Sequence, residues 1–421
     1  MKDILSFICS WIKKVADIMG FSFMHAADLH LGSTITGVLA LPMALQRRLV
    51  DASLRAFTNL LDQAIARDVD FLILSGDIFE ESRPSLRVQK FFVDGITRLS
   101  HAGIQVFMAT GNHDYDVFSQ MVYDLPNTAK WFSLGQVDEH VVTIGEIAIK
   151  ILGISYPQRT VVEDLSRLFP SASGDAISIG VLHCQLGSIE SPYSSVSLPK
   201  LQALNYDYWA LGHVHSAGTW NDPGLIVYPG ILQGRHNGEV GEKGCYYVRF
   251  QDGVMKPTFL ALQDIRWERC HLDLTMVGIG EIYDILFDCR EQYRDQGDVG
   301  VLLEIGLNGS TKSHQWLQQA SEVEELLSEL QEGEEGVDNF LWITRLIDTT
   351  LPALDWDELM ARPDFLGEFL RFLEHAACDE QIKGELESVW AVVTQNKGIS
   401  IDYQEVLLKA RMIGIQLLGG D

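Results

Sequence analysis

Five short, strongly apolar runs recur along the first half of this chain, at residues 21–26, 70–74, 104–108, 177–182 and 208–211. Their length is that of strands buried on both faces. Between the first two runs, Val50, Leu54, Phe57, Leu61 and Ile65 return every three or four positions. Between the second and third, Val88, Phe92, Ile96 and Leu99 do the same. That period lines each set along one face of a helix. Strands alternating with amphipathic helices predict a layered α/β domain. Two more strands, 225–228 and 246–250, are expected to flank a glycine-rich loop at 229–236. Beyond residue 260 the pattern changes. Residues 266–310 read strand, helix, strand, as a small α/β unit. Residues 321–336 hold seven glutamates and no Lys or Arg, and residues 356–418 read mostly helical.

Each of the five runs leads into a short polar block: Asp28-Leu29-His30, Gly76-Asp77, Gly111-Asn112-His113-Asp114, His183-Cys184-Gln185 and Gly212-His213-Val214-His215. Layered α/β folds bind ligands where strands end, so position and chemistry agree. Asp28 and His30 are two apart, and on extended backbone both would point the same way and chelate one ion. His213 and His215 repeat that spacing. Asp77, alone after a glycine, suits a carboxylate bridging two ions. Asn112 offers a carbonyl oxygen and His183 another imidazole. Mixed imidazole and carboxylate donors favour Mn, Fe, Zn or Co over Mg or Ca, with Mn the first expectation. Two such ions about 3.5–4 Å apart suit an in-line displacement at phosphorus. His113 is then placed to protonate the leaving oxygen, with Asp114 expected to orient its imidazole.

Composition qualifies this picture. At 421 residues two or three domains are expected, and 47% apolar content suits a large soluble core. The 32 basic residues face 58 acidic ones, a net charge of −26. Such acidity argues against broad contact with a phosphate backbone, so any nucleic acid must be held by local basic patches, by metals or by a basic partner. Arg83, Arg87 and Lys90, with Arg235 and Lys243, are candidates for such a patch, against a solvated helix face as the plainer reading. The six scattered cysteines suit reduced thiols in a cytoplasmic protein. The apolar stretch at residues 4–12 is far short of the roughly 20 residues a membrane span needs. Residues 1–20 read as an extension, with Met19 and Met24 as alternative starts.

The five blocks, in this order, resemble the calcineurin-like metallophosphoesterases, over roughly residues 21–260. Residues 25–32 (His-Ala-Ala-Asp-Leu-His-Leu-Gly) and 74–79 (Leu-Ser-Gly-Asp-Ile-Phe) are similar to the SbcD-type DNA-repair exonucleases. Residues 208–215 and 228–236 resemble their YhaO-like branch. The resemblance implies one metal on Asp28, His30, Asp77 and His215 and another on Asp77, Asn112, His183 and His213, with His113 catalytic. It further implies a nuclease acting on DNA, a capping domain and an SbcC-like coiled-coil ATPase as partner; a homodimer is an open alternative to a monomer. No phosphate-binding G-x-x-x-x-G-K-[ST] loop occurs here, so an ATP-driven step would belong to another chain.

Other residues carry plainer expectations. His25 and His101 suit packing or surface roles, Cys184 a buried thiol, and Gly278-Ile279-Gly280 a turn. His236, in the glycine-rich loop, stays open. The glutamate-rich segment reads as a solvated helix and loop. The expected architecture is therefore α/β: a layered metallophosphoesterase sandwich at 21–260, a small α/β capping domain at 261–347 and a helical region at 348–421. The expected function is a two-metal DNA exonuclease or endonuclease in repair. A phosphatase or nucleotide phosphodiesterase would share every ligand, and a weakly catalytic interaction subunit is the third alternative. No membrane role is expected.

Overall fold

The computed structural model describes residues 20–38, 41–172, 174, 176–187, 192–221, 224–294, 297–353, 356–393 and 403–418. The expected N-terminal extension lies outside them, except for Gly20. The seven strands and two helices predicted up to residue 260 are present, as are the strand, helix and strand predicted at 266–310.

Two six-stranded sheets form the sandwich. The first is built from β1 (Gly20–Ala26), β2 (Phe71–Ser75), β3 (Gln105–Ala109) and β4 (Ala129–Trp131). The second uses β5 (Asp138–Ile144), β6 (Ile147–Gly153), β7 (Ile177–His183), β8 (Tyr208–Gly212), β9 (Gly218–Asn221) and β10 (Leu225–Tyr228). β11 (Gly244–Gln251) and β12 (Val254–Ala261) return to the first sheet. The strand orders are β12-β11-β1-β2-β3-β4 and β9-β10-β8-β7-β6-β5. Within each, four consecutive strands run parallel: β1 to β4 in one, and β10, β8, β7 and β6 in the other.

Side-chain alternation divides the apolar runs between two cores. Phe23, Phe71, Ile73 and Phe107 face Ile151, Val181, Tyr208 and Val227 of the opposite sheet. Phe23 stacks on Phe71 at 4.9 Å and meets Tyr208 edge-on at 5.1 Å. The intervening residues Met24, Leu72, Leu74 and Met108 pack outward against α1 (Met43–Ala66) and α2 (Leu86–His101) through Phe57, Leu61, Phe92 and Ile96. Trp209, Leu211 and Ile226 do the same on the far side of the second sheet, against Phe169 and Leu201. Both faces are covered, which is why these strands read as unbroken apolar runs. Each buried Phe is worth about 3–5 kcal/mol against truncation to Ala. Val50 departs from the expected stripe. It is 47% exposed, because the buried face of α1 runs instead through Leu45, Leu49, Ala52 and Ala56.

A three-stranded sheet follows, in the order Ile265–Asp273, Gly300–Asn308, Leu341–Asp348, and the helix Ile279–Arg294 links its first two strands. Ile265, Trp267, Leu302, Phe340 and Trp342 pack with Leu45, Leu49 and Ala52 of α1, and Asp264 pairs with Arg48 and Arg55. The chain divides into two compact units: residues 1–271, 283–306 and 324–347, and residues 272–282, 307–323 and 348–421. This division cuts through residues 261–347, which the sequence assigns to one capping domain. The second unit includes four helices, Trp356–Ala361, Phe365–Cys378, Glu380–Val393 and Tyr403–Leu418, with Leu373, Ala376 and Leu407 in a small core. Among the described residues no helix is long and apolar enough to cross a membrane.

Candidate metal centre

The parallel strands of both sheets end at one place. β1 delivers Asp28 and His30, β2 delivers Asp77, and β3 delivers Asn112, His113 and Asp114. β7 ends on His183, and β8 delivers His213 and His215. The backbone there differs from the extended geometry expected of the Asp-x-His and His-x-His pairs. Asp28, His30, Asp77 and His213 have φ of 49°, 44°, 49° and 103°, in the left-handed region that ordinary residues avoid. Each such residue costs on the order of 1–3 kcal/mol and persists only where its surroundings enforce it. Here they do. The Asp28 amide donates to the Gly76 carbonyl at 3.1 Å, His30 to Asp77 at 3.0 Å and Leu31 to Ile78 at 2.9 Å. The His213 amide donates to the Asp28 carboxylate at 3.0 Å.

The seven side chains expected to hold metal converge. Donor atoms of Asp28, His30 and His215 lie within 4.8 Å of one another, as do those of Asp28, Asp77 and His183. His183 Nε2 lies 3.4 Å from Asp77 Oδ2 and 3.1 Å from Asn112 Oδ1, and His213 Nδ1 is 3.3 Å from the same Asn112 oxygen. Asp28, His30, Asp77, Asn112 and His183 are all buried. The packing leaves no slack. A Cβ on Gly111 would stand 2.3 Å from Asp77 Oδ1, and one on Gly76 would stand 2.3 Å from His183 Nδ1.

These groups fit cations. His30 Nε2 is buried with no hydrogen-bond partner. His183 Nδ1 donates to the Ser75 carbonyl at 3.0 Å, which leaves Nε2 as the donor aimed at Asp77. His215 Nδ1 is held at 2.8 Å by Glu239 Oε1, which frees its Nε2 in the same way. Imidazoles fixed by a carbonyl or carboxylate on the second nitrogen are the usual arrangement of metal-ligating histidines.

His113 stands beside them, its ring 4.8 Å from that of His30. Its amide donates to Asp77 Oδ1 at 2.8 Å, and its Nδ1 donates to the Glu80 carbonyl at 2.9 Å. Asp114 does not orient that imidazole, contrary to expectation. Its Oδ1 accepts from the Gly111 amide at 2.7 Å and its Oδ2 from Ile78 at 2.7 Å and Phe79 at 3.3 Å. It ties the β2 and β3 loops together, and Glu80 holds the imidazole instead.

Comparison with known proteins adds the family. Residues 21–217 match the calcineurin-like phosphoesterases. The chain is 31% identical over 336 residues to the "uncharacterized metallophosphoesterase YhaO" of Bacillus subtilis, covering 78% of this chain and 82% of that protein. The chain belongs to the calcineurin-like phosphoesterase family. More distant are two archaeal proteins named "DNA double-strand break repair protein Mre11". That of Methanopyrus kandleri is 23% identical over 45% of this chain and 44% of its own length. That of Aeropyrum pernix is 26% identical over 50% and 53%. The chain thus matches about half the length of each.

The electrostatics suit a phosphoesterase of this kind. Burial alone would raise the Asp77 carboxyl and lower the His183 imidazole. Their mutual attraction reverses both, holding Asp77 well below the usual carboxylate range and lifting His183 to about 9. Divalent cations would replace those protons, since ligands bind metal deprotonated. Burial, reinforced by the charge of His183, drops His213 to about 3, which keeps it neutral and able to donate a lone pair. Burial works against ionised Glu239 too, yet His215 and the Arg235 amide hold it down to about 2.

Glu80 and Glu239 are the residues that pattern reading missed. Glu80 Oε2 lies 2.9 Å from His30 Nδ1 and 2.9 Å from Arg235 Nη1, and Arg235 Nη2 reaches Glu239 at 3.5 Å. Arg235 therefore bridges two carboxylates that each steady a candidate ligand, and is not a free phosphate grip. Arg87 and Lys90 are likewise committed, to Asp51 and Asp94. His25 is a packed histidine held by Tyr208 Oη and Ser75 Oγ, and His101 is exposed at the end of α2. His236 Nε2 lies 3.7 Å from Glu239. Burial pushes the Cys184 thiol up to about 12, which makes it inert at neutral pH.

Proposed function

We propose that this phosphoesterase is a two-metal phosphodiesterase acting on DNA, a nuclease of the SbcD type that works in repair with a separate coiled-coil ATPase and uses manganese. The observation that carries the two-metal reading is the clustering of Asp28, His30, Asp77, His183 and His215, which Asn112 and His213 join through His183, with His30 Nε2 buried and unpartnered among them. Asp28, His30, Asp77 and His215 would hold one ion, and Asp77, Asn112, His183 and His213 the other. Divalent ions so held polarise phosphoryl oxygens and lower the pKa of water. The chain's own residues do the rest. Asp77 is shared by both groups, and Ser75 and Glu239 fix the tautomers of His183 and His215. His113, with Nδ1–H given to the Glu80 carbonyl, takes up a proton at Nε2 and delivers it to the leaving oxygen. Support for DNA comes from the archaeal relatives whose names place them in double-strand break repair.

A second reading, a phosphatase or nucleotide phosphodiesterase, is favoured by the net charge of −26. Turnover of linear duplex DNA, bis(4-nitrophenyl) phosphate and 4-nitrophenyl phosphate with Mn separates the two. The nuclease reading expects DNA cleavage and loses if only the small esters are hydrolysed. Capture of an SMC-like ATPase by the full chain tests the partner.

A further inference from the structure

Beside His113 a cavity of about 310 Å³ opens between the loop after β2 and the loop after β6, with Arg83, Tyr115 and Arg159 in its wall. Arg83 and Arg159 differ from the other cations near the site. Arg87, Lys90 and Arg235 are all spent on carboxylates, whereas Arg83 and Arg159 make no ion pair among the described residues. Two acidic residues share the wall. By formal charge they balance the two arginines, but Glu80 is engaged by Arg235 and His30, and neither glutamate pairs with Arg83 or Arg159 among the described residues. In so acidic a chain, two arginines left without an ion pair beside the proton donor are a local exception.

We propose that this cavity receives the leaving group and that Arg83 and Arg159 clasp a second phosphate on it. The inference rests on the reading of the site as a phosphodiesterase. His113 delivers its proton to the leaving oxygen, so whatever that oxygen is attached to lies on the His113 side, where the cavity is. The volume lies at the lower end of ligand pockets, about 300 Å³, and suits one nucleotide. Tyr115, half-buried, offers a ring for a base or sugar to lie against. Arginine forks match the oxygens of a phosphate in a way that a monoester's leaving alcohol cannot use. The preferred substrate is therefore a phosphodiester or phosphoanhydride whose leaving side carries a further phosphate, as in an oligonucleotide or a dinucleoside polyphosphate respectively.

The test compares wild type with Arg83→Ala/Arg159→Ala under Mn, on a single-stranded oligodeoxynucleotide, diadenosine tetraphosphate and bis(4-nitrophenyl) phosphate, which has no second phosphate. Arg87→Ala, outside the cavity, is the control. The ratio of kcat/KM for a two-phosphate substrate to that for the small diester should fall about tenfold in the double variant, mostly through KM. For the oligonucleotide, the logarithmic salt dependence should flatten by about 1. Loss confined to the oligonucleotide or to the polyphosphate identifies which source of phosphate the cavity serves. An unchanged ratio, whether both activities fall together or neither moves, overturns the subsite. If wild type cleaves nothing, the phosphodiesterase reading fails by itself, and the subsite is judged by oligonucleotide anisotropy. Weaker binding by the double variant keeps it, and equal binding, or none by either protein, removes it.

Discussion

His113 touches the seven expected ligands at two points, its ring against His30 and its amide on Asp77, while its Nδ1 meets the Glu80 carbonyl; its donor atom lies within 4.8 Å of those of His30 and Asp77, but the expected set does not include it. Its side chain can therefore be removed without removing a predicted ligand. His113→Ala should lower kcat on any diester by about 10²–10⁴-fold, while metal counted by mass spectrometry stays at wild-type stoichiometry. Loss of metal in that variant would reassign the residue to the ligands. Glu239 makes the opposite case. It touches no substrate in this scheme, but it is buried and fixes His215 at 2.8 Å while accepting the Arg235 amide at 2.7 Å. Glu239→Gln keeps the shape and loses the charge. Metal affinity should drop about 10–100-fold, and excess Mn should restore turnover. A variant with unchanged affinity would leave Glu239 a purely structural residue.

Turning to elements, the site depends on how closely the strand-end loops approach one another. A methyl at residue 111 would meet both Asp77 Oδ1 at 2.3 Å and His183 Cε1 at 2.7 Å, neither at the end of a flexible chain. Gly111→Ala should therefore lose bound metal and activity together while the circular dichroism of the sheets stays the same; retained metal would show that the loops can yield. This closeness also explains what could be read in advance. Strands covered on both faces announce themselves as apolar runs, and the polar blocks stand out because they end those runs. The hairpin of β5 and β6 carries no such signal, since residues such as Asp138, Glu139 and Lys150 alternate along a more exposed edge. The left-handed backbone at Asp28, His30 and His213 is enforced by hydrogen bonds to distant segments, so spacing alone suggested extended geometry. Glu80 and Glu239 escaped for the same reason. Each lies in a loop without periodicity, and only the fold brings it to a histidine. Asp114 sits next to His113 in sequence yet turns toward three backbone amides, a choice that adjacency could not show.

Over the whole molecule, the net charge of −26 is concentrated in one respect that matters to folding: Asp28, Asp77 and Asp114 are buried together behind the strand ends. Asp77 raises the carboxyl of Asp28 by repulsion, on top of burial, and burial with the same neighbour pushes Asp114 up to about 7. Buried like charges of this kind favour the folded chain only when cations or protons answer them. The folded state should therefore gain stability from divalent metal, rising with the logarithm of free metal over Kd. At free Mn about a thousand times Kd, a single site contributes about 4 kcal/mol. In a domain of this size each kcal/mol moves the melting point by about 2–4 °C. Chelation with excess EDTA should then lower the Tm by about 10 °C, and Asp77→Ala, which touches both groups of donors, should melt at one temperature with or without Mn. If wild type melted alike in both conditions, its buried carboxylates would have to be answered by protons alone, and the paired-ion reading would lose its thermodynamic basis.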